Sequence, residues 1–381
     1  MSTAAPMPAD GERGADVDRH GATGMITWPD RRILDLFGID LPIVQAPMAG
    51  AVTAAMVAAV SEAGGLGSLP CATLTMAQIR AEFGAILQST SRPVGLNFFC
   101  HTPPVVDAAR EAAWRRHLAP YYAEFGLDPG MPAPAMPLEP FGAAHCDLIA
   151  SLKPEVVSFH FGLPDAGLCA RVKQSGAQII SSATTVEEAV WLERNGCDAI
   201  IAQGWEAGGH RAMFLSDDVG TQLGTLALVP QIVDAVSVPV IAAGGIADGR
   251  GVAAALALGA SAAQVGTAYL FCPEASLAPL HRQALKASRG RTAVTRLFSG
   301  RPARAVVNRL VRELGARPVD PPDFPLAGAA LAPLRSQSEP RGSDDFTALW
   351  CGQAAHLGRD LPAGELTRQL AEGAGAAARL R

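Results

Sequence analysis

Short apolar runs recur along the chain at fairly even intervals, each closing on glycine, proline or a polar turn residue. They cover residues 42–47, 65–70, 93–99, 156–161, 178–183, 199–203, 238–243 and 262–267. The runs are rich in Val, Ile and Ala with little polar alternation, which predicts strands buried on both faces. Between most neighbours the apolar spacing turns helical, over 51–63, 76–88, 167–175, 185–195 and 249–258. Thr184-Thr185-Val186-Glu187-Glu188 reads as a capped helix start with acids in its first turn. Eight strands alternating with helices predict an α/β fold, a (β/α)8 TIM barrel. A doubly wound open sheet is the alternative.

Two regions exceed that repeat. An insertion after strand 3, residues 100–155, holds a helical stretch at 105–125 and a proline-rich passage at 128–140. A helical extension at 273–381, with a second proline-rich linker at 317–334, follows the barrel of 26–272 and is expected to pack on it. Excursions of this length from a compact barrel usually serve as lids or binding elements.

Composition narrows the class. The chain is 49% hydrophobic and 18% charged over 381 residues, enough for a sizeable core. A net charge of −5 argues against a nucleic-acid partner. Seven cysteines (71, 100, 146, 169, 197, 272, 351) stand without a C-x-x-C pair, which points to reduced thiols and no metal site. Residues 1–25 mix acids, Arg, Gly and Pro with no apolar core, so a disordered tail is expected rather than a targeting signal. No uninterrupted apolar stretch is long enough for a membrane span. The expected location is cytoplasmic, and a homodimer is open to such a chain.

Candidate chemistry gathers at the strand ends, where barrels of this type place their sites. Gln45-Ala46-Pro47-Met48 closes the first strand, Asn97 lies in the third, and His160 ends the fourth between Phe159 and Phe161. The sixth strand leads from Gln203 through Gly208 and Gly209 to His210. Those glycines allow close backbone approach to a flat ligand, and the histidine beyond them can exchange a proton near neutrality. Gly244-Gly245 after strand seven and Gln264-Val265-Gly266-Thr267 at strand eight suit backbone binding of a phosphate. Neither is a Walker loop or a G-x-G-x-x-G fingerprint. The amides of Asn97 and Gln203 can both donate and accept, as a flavin edge requires. Gln45 serves equally as a loop brace, and His160 equally as a satisfied core histidine. On residues alone, a barrel aldolase or isomerase holding a sugar phosphate stays open.

Taken together, Q-A-P-M-A-G (45–50), G-G-L-G-S-L-P (64–70), G-L-N-F-F (95–99), S-F-H-F-G-L-P (158–164), E-A-G-G-H-R (206–211), A-A-G-G-I-A-D-G (242–249) and Q-V-G-T-A (264–268) resemble the nitronate monooxygenase family, formerly called 2-nitropropane dioxygenase. The resemblance spans about residues 30–315. It implies an FMN-dependent oxidoreductase that oxidises alkyl nitronates such as propionate-3-nitronate with dioxygen, giving a carbonyl compound and nitrite. Its catalytic histidine corresponds to His210 and a substrate-pocket histidine to His160. The implied FMN site holds Asn97, Gln203, Gly208, Gly245 and residues 264–267, with Gln45, Ala46, Pro47, Met48, Gly209 and Gly244 beside them. Related barrels reduce enoyl thioesters or quinones with NAD(P)H on similar motifs, and that is the alternative activity. Past residue 315 the chain lacks the lysine and tyrosines that some members place near the flavin, and Ala212 follows Arg211 where glycine is usual.

Overall fold

Eight parallel strands form one sheet in the computed structural model, which describes Met1 and residues 28–132, 134, 138–315 and 317–378. They are β1 (Ile43–Gln45), β2 (Gly67–Pro70), β3 (Val94–Phe99), β4 (Val156–His160), β5 (Gln178–Ala183), β6 (Ala199–Gln203), β7 (Val240–Ala243) and β8 (Ala262–Val265). From β2 to β8 each strand pairs with the next in sequence, and β8 pairs with β1 with Ile43 opposite Ala263. A bridge between Val44 and Leu66 joins β1 to the β2 side and shuts the cylinder. The open-sheet alternative is therefore set aside. Val44, Val157, Ile180, Ile200 and Ile241 are all buried, because a parallel barrel covers its strands on both faces. The tail expected over 1–25 lies, Met1 apart, outside the described residues.

Seven helices connect the strands: Ala54–Glu62, Met76–Ser89, Ala143–Leu152, Ala166–Gln174, Val186–Arg194, Thr225–Ala235 and Gly249–Ala257. Their starts are set by side-chain caps, Thr75 with Gln78 in a capping box, Asp165 on Leu168, Thr185 on Glu188 and Asp248 on Gly251. Two of them escape the sequence pattern. Ala143–Leu152 hides inside the expected insertion, and Thr225–Ala235 carries Pro230 in its interior.

The eighth helix comes last. Ala363–Ala378 lies against Gly249–Ala257 and Ala54–Glu62, filling the gap in the ring beside β1. A Cβ on Gly249 would come within 2.4 Å of the Gly373 carbonyl carbon, so glycines let these two helices touch backbone to backbone. Tyr269 and Thr367, both buried, hydrogen-bond across the seam at 2.7 Å. The barrel thus does not end at the expected boundary of 272, because its closing helix is supplied by the chain's last segment.

What remains of the two excursions forms a cap over the strands' carboxyl ends. Helix Ala108–Glu124 brings Trp114, Leu118, Tyr121 and Tyr122 against Leu297, Leu310, Leu314, Leu334 and Phe346, a core separate from the barrel's. The Trp114 and Tyr122 polar atoms donate to the carbonyls of Ala327 and Ala330. At the rim Arg110 meets Asp320 and Asp323, and Arg309 meets Glu124. A small antiparallel sheet of Thr292–Thr295, Ala303–Val306 and Gly209–His210 ties the cap to the loop after β6.

Candidate active site

The carboxyl ends of the strands open into a cavity of about 590 Å³. Its floor is barrel: Ala46, Pro47 and Met48 after β1, Asn97 of β3, Ser158 and His160 of β4, Gln203 of β6, Gly244 and Gly245 after β7, and Gln264, Gly266 and Thr267 at β8. Its roof is cap, including Phe298, Ser299, Pro325, Leu331, Arg335, Phe346 and Trp350.

His210 is placed by three separate constraints. Its strand pairs antiparallel with the cap, His210 opposite Ala303 and Gly209 opposite Arg304. Its backbone carbonyl accepts from Gln203 Nε2 at 3.0 Å and from His160 Nε2 at 3.3 Å. The other end of the Gln203 amide accepts from Ala212 N at 2.9 Å, so this side chain staples both sides of the histidine. The imidazole Nε2 then lies 2.9 Å from Ser299 Oγ, with the ring flanked by Phe324 at 5.2 Å and Trp350 at 5.1 Å. Gly209 reaches the cavity with φ +72, a conformation that glycine adopts without strain. Behind the strand, fully buried Arg211 donates to the Gly204 and Gln203 carbonyls and to Gln222, fixing the exit of β6.

Burial holds His210 and His160 neutral. It pushes His210 down to about 3, helped by the neighbouring His160 and by Arg301. His160 is pushed down to about 4 by burial, against the opposing pull of its bond to the His210 carbonyl. Because a carbonyl only accepts, the proton of neutral His160 sits on Nε2.

The glycines shape the opposite side. A Cβ on Gly208 would lie 2.5 Å from Gly352 N and 2.6 Å from the Cys351 carbonyl carbon, so the cap segment at 351–352 docks on bare backbone there. Gly244 and Gly245 take φ of +115 and +70, turning the chain sharply after β7. Glu206 accepts from Thr225 N and Oγ1 and caps the next helix, while Thr225 Oγ1 also reaches the Gly244 carbonyl. The N–H groups of Gly245, Ile246 and Gly266 donate to no protein group among the described residues. Asn97 donates through Nδ2 to Ser158 Oγ at 2.9 Å.

Of the residues singled out in the sequence, Ala46, Pro47, Met48, Asn97, His160, Gln203, Gly208, Gly209, His210, Gly244, Gly245, Gln264, Gly266 and Thr267 meet at the one cavity. Gln45 and Val265 do not line it. Gln45 is fully buried, accepting from Ser68 N and donating to the Ala46 carbonyl, which makes it a loop brace. Val265 is fully buried one position from Gln264, and strand alternation sends successive side chains to opposite faces. Ser299, His281, Arg335 and Trp350 were invisible in the sequence as site residues, since all four belong to the cap. Among the described residues no cluster of three or more His, Cys, Asp or Glu could hold a metal ion, and no helix is long and apolar enough to cross a membrane.

Comparison with known proteins agrees with this arrangement along nearly the whole chain. A family model described as nitronate monooxygenase matches residues 30–373. A nitronate monooxygenase of Pseudomonas aeruginosa is 44% identical over 344 residues, covering 90% of this chain and 98% of that one. Another from Paraburkholderia phytofirmans is 45% identical over 347 residues, covering 89% and 94%. Among solved structures, a nitroalkane oxidase from Streptomyces ansochromogenes superposes with a TM-score of 0.83 at 39% identity, over 92% of this chain and 99% of that one. With the family model and relatives 44% and 45% identical spanning nearly all of its length, the chain belongs to the nitronate monooxygenase family.

Proposed function

We propose that this oxidoreductase uses FMN to oxidise alkyl nitronates with dioxygen, releasing a carbonyl compound and nitrite. The observation that carries the reading is the neutral His210 imidazole, fixed at its carbonyl by Gln203 and His160 and facing a glycine-floored cavity.

The residues present fit FMN. A flat ring needs a wall without side chains, and Gly208, Gly209, Gly244, Gly245 and Gly266 line the cavity, with open space where a Cβ on Gly209 would stand. A phosphate needs convergent donors, and the unused N–H groups of Gly245, Ile246 and Gly266 lie at the ends of β7 and β8. Asn97 and Gln264 add amides to the same wall. Bound there, the flavin would supply the electron transfer between nitronate and dioxygen.

The protein's part is binding, orientation and proton control. Cap residues Phe298, Phe346 and Trp350 roof the cavity with apolar surface, which limits water and strengthens each polar contact inside. His210 hydrogen-bonds the anionic nitro group while Ser299 holds its Nε2. A neutral imidazole pushed down to about 3 is a poor base toward a C–H bond. An anion beside it raises its proton affinity. That asymmetry favours the nitronate, which has already lost its α-proton, over the neutral nitroalkane.

The test is direct. Purified protein should be yellow, release nitrite from ethyl nitronate faster than from nitroethane, and leave its flavin oxidised when mixed with NADH without oxygen. A colourless protein, or rapid bleaching by NADH, would overturn the assignment.

A further inference from the structure

The Ser299 hydroxyl that meets the His210 imidazole is itself held by one residue. Besides His210 Nε2, its Oγ accepts from Arg301 N and donates to the Arg301 carbonyl, each at 3.4 Å, with no further partner among the described residues. Both residues lie in the cap's turn between Thr292–Thr295 and Ala303–Val306. Residues 296–300 otherwise hydrogen-bond only within the cap, so the place of Ser299 depends on what places Arg301.

The Arg301 side chain reaches across to the barrel. Its Nη2 donates to the Met213 carbonyl at 2.6 Å, in the loop that carries His210, and its guanidinium carbon lies 4.2 Å from the centre of the Phe161 ring. It enters no ion pair among the described residues, so a π face and one carbonyl are what its charge meets. Phe161 is unusual in its own right. It follows His160 with φ +70, a conformation in which a bulky side chain is strained and which persists only where its surroundings demand it. The ring is buried, 4.6 Å from the His160 ring, 5.4 Å from that of Phe324 and 6.0 Å from that of His210. Phe161 thus offers Arg301 a platform set between the two cavity histidines.

Resting on the activity proposed above, we infer that Arg301 is a positioning residue: by docking on Phe161 and the Met213 carbonyl it seats Ser299 against His210 and so orients the imidazole for turnover. The side chain spans from barrel to cap, and its backbone delivers the hydroxyl back to the barrel's histidine. A planar guanidinium suits the task, since it stacks on the ring while its edge donates to the carbonyl; an ammonium keeps the charge and loses the fork.

The experiment follows nitrite from ethyl nitronate in the wild type, Ser299→Ala, Arg301→Met, Arg301→Lys and the double variant Ser299→Ala with Arg301→Met. Arg301→Met should lower kcat about tenfold with little change in KM, and Arg301→Lys should recover part of the loss. Adding Ser299→Ala to Arg301→Met should cost nothing more, because the hydroxyl is already out of place. A general loosening of the cap would leave the Ser299 contribution intact. Losses that multiply in the double variant would therefore overturn the inference, as would wild-type kcat in Arg301→Met. If Arg301→Met does not fold, Phe161→Leu, which removes the platform and keeps the cation, takes its place in the same comparison. Nitrogen-15 NMR of histidine-labelled protein separates this inference from the activity. The His210 Nε2 signal, identified by its absence in His210→Asn, should move alike in Ser299→Ala and Arg301→Met. That movement, with no nitrite from the nitronate, would retain the positioning role and discard the proposed reaction. A signal that Arg301→Met leaves in place would discard the positioning role.

Discussion

The hydroxyl of Ser299 lies 2.9 Å from Nε2 of His210, across 89 positions of sequence. One residue belongs to the cap and the other to the loop after β6, so the imidazole is aimed only when the two parts are docked. Ser299→Ala should lower kcat on ethyl nitronate by a few-fold to about tenfold, the worth of one neutral hydrogen bond. Flavin content should stay the same. Turnover equal to wild type would show that Ser299 does not orient the ring.

Stability should depend on pH through the buried histidines. His210 and His160 have been pushed down to about 3 and 4 from an ordinary value of 6.5. In the unfolded chain they take up protons as pH drops below 6.5, while the folded chain refuses them. Stability is thus complete above that value and is lost as pH falls toward 4. His101, His145 and His281 act in the same direction. Thermal melts from pH 7 to 4 should show a falling Tm, and His160→Gln, which keeps a donor for the His210 carbonyl, should flatten the fall. Parallel curves for the two proteins would remove His160 from the cause.

Gly208→Ala places a methyl 2.5 Å from Gly352 N, against backbone that has little room to retreat. Overpacking of this kind costs about 1–3 kcal/mol, and here it also lifts the cap from the ring wall. Both Tm and the flavin retained through gel filtration should decrease. An intact holoprotein would mean that residues 351–352 can move aside.

The cap should be held by its core rather than its ion pairs. Trp114 is almost wholly buried, and Trp114→Ala should cost about 3–5 kcal/mol. Arg110 pairs with Asp320 and Asp323, which are well exposed, so Arg110→Ala should cost below about 1 kcal/mol, less in high salt. Denaturant melts of the two variants decide the order. An equal or larger loss in Arg110→Ala would reverse it.

The barrel was legible because its strands carry an unbroken apolar signal: β5 and β6 fall on the predicted residues, and the other ends differ by a few positions. The glycine-presented His210 was legible too, since turn chemistry is written locally. Helix Thr225–Ala235 was not, because Pro230 contradicts its propensity and tertiary packing overrides it. The roof of the cavity was equally hidden. Ser299, Arg335 and Trp350 gain meaning only from a core that joins residues near 114 to residues near 310, and no local pattern encodes that pairing. Gln45 stayed ambiguous for a related reason, as a strand-end amide can face a ligand or brace a loop, and here its partners are Ser68 and Ala46.

Because Ala363–Ala378 occupies the ring position beside β1, two segments far apart in the sequence are neighbours in the finished molecule. A ribosome delivers them far apart in time. Until Ala363–Ala378 has emerged, the groove between Gly249–Ala257 and Ala54–Glu62 stays bare, with greasy surface waiting for Leu366 and Leu370. Closure of the ring is consequently a late, long-range step in folding.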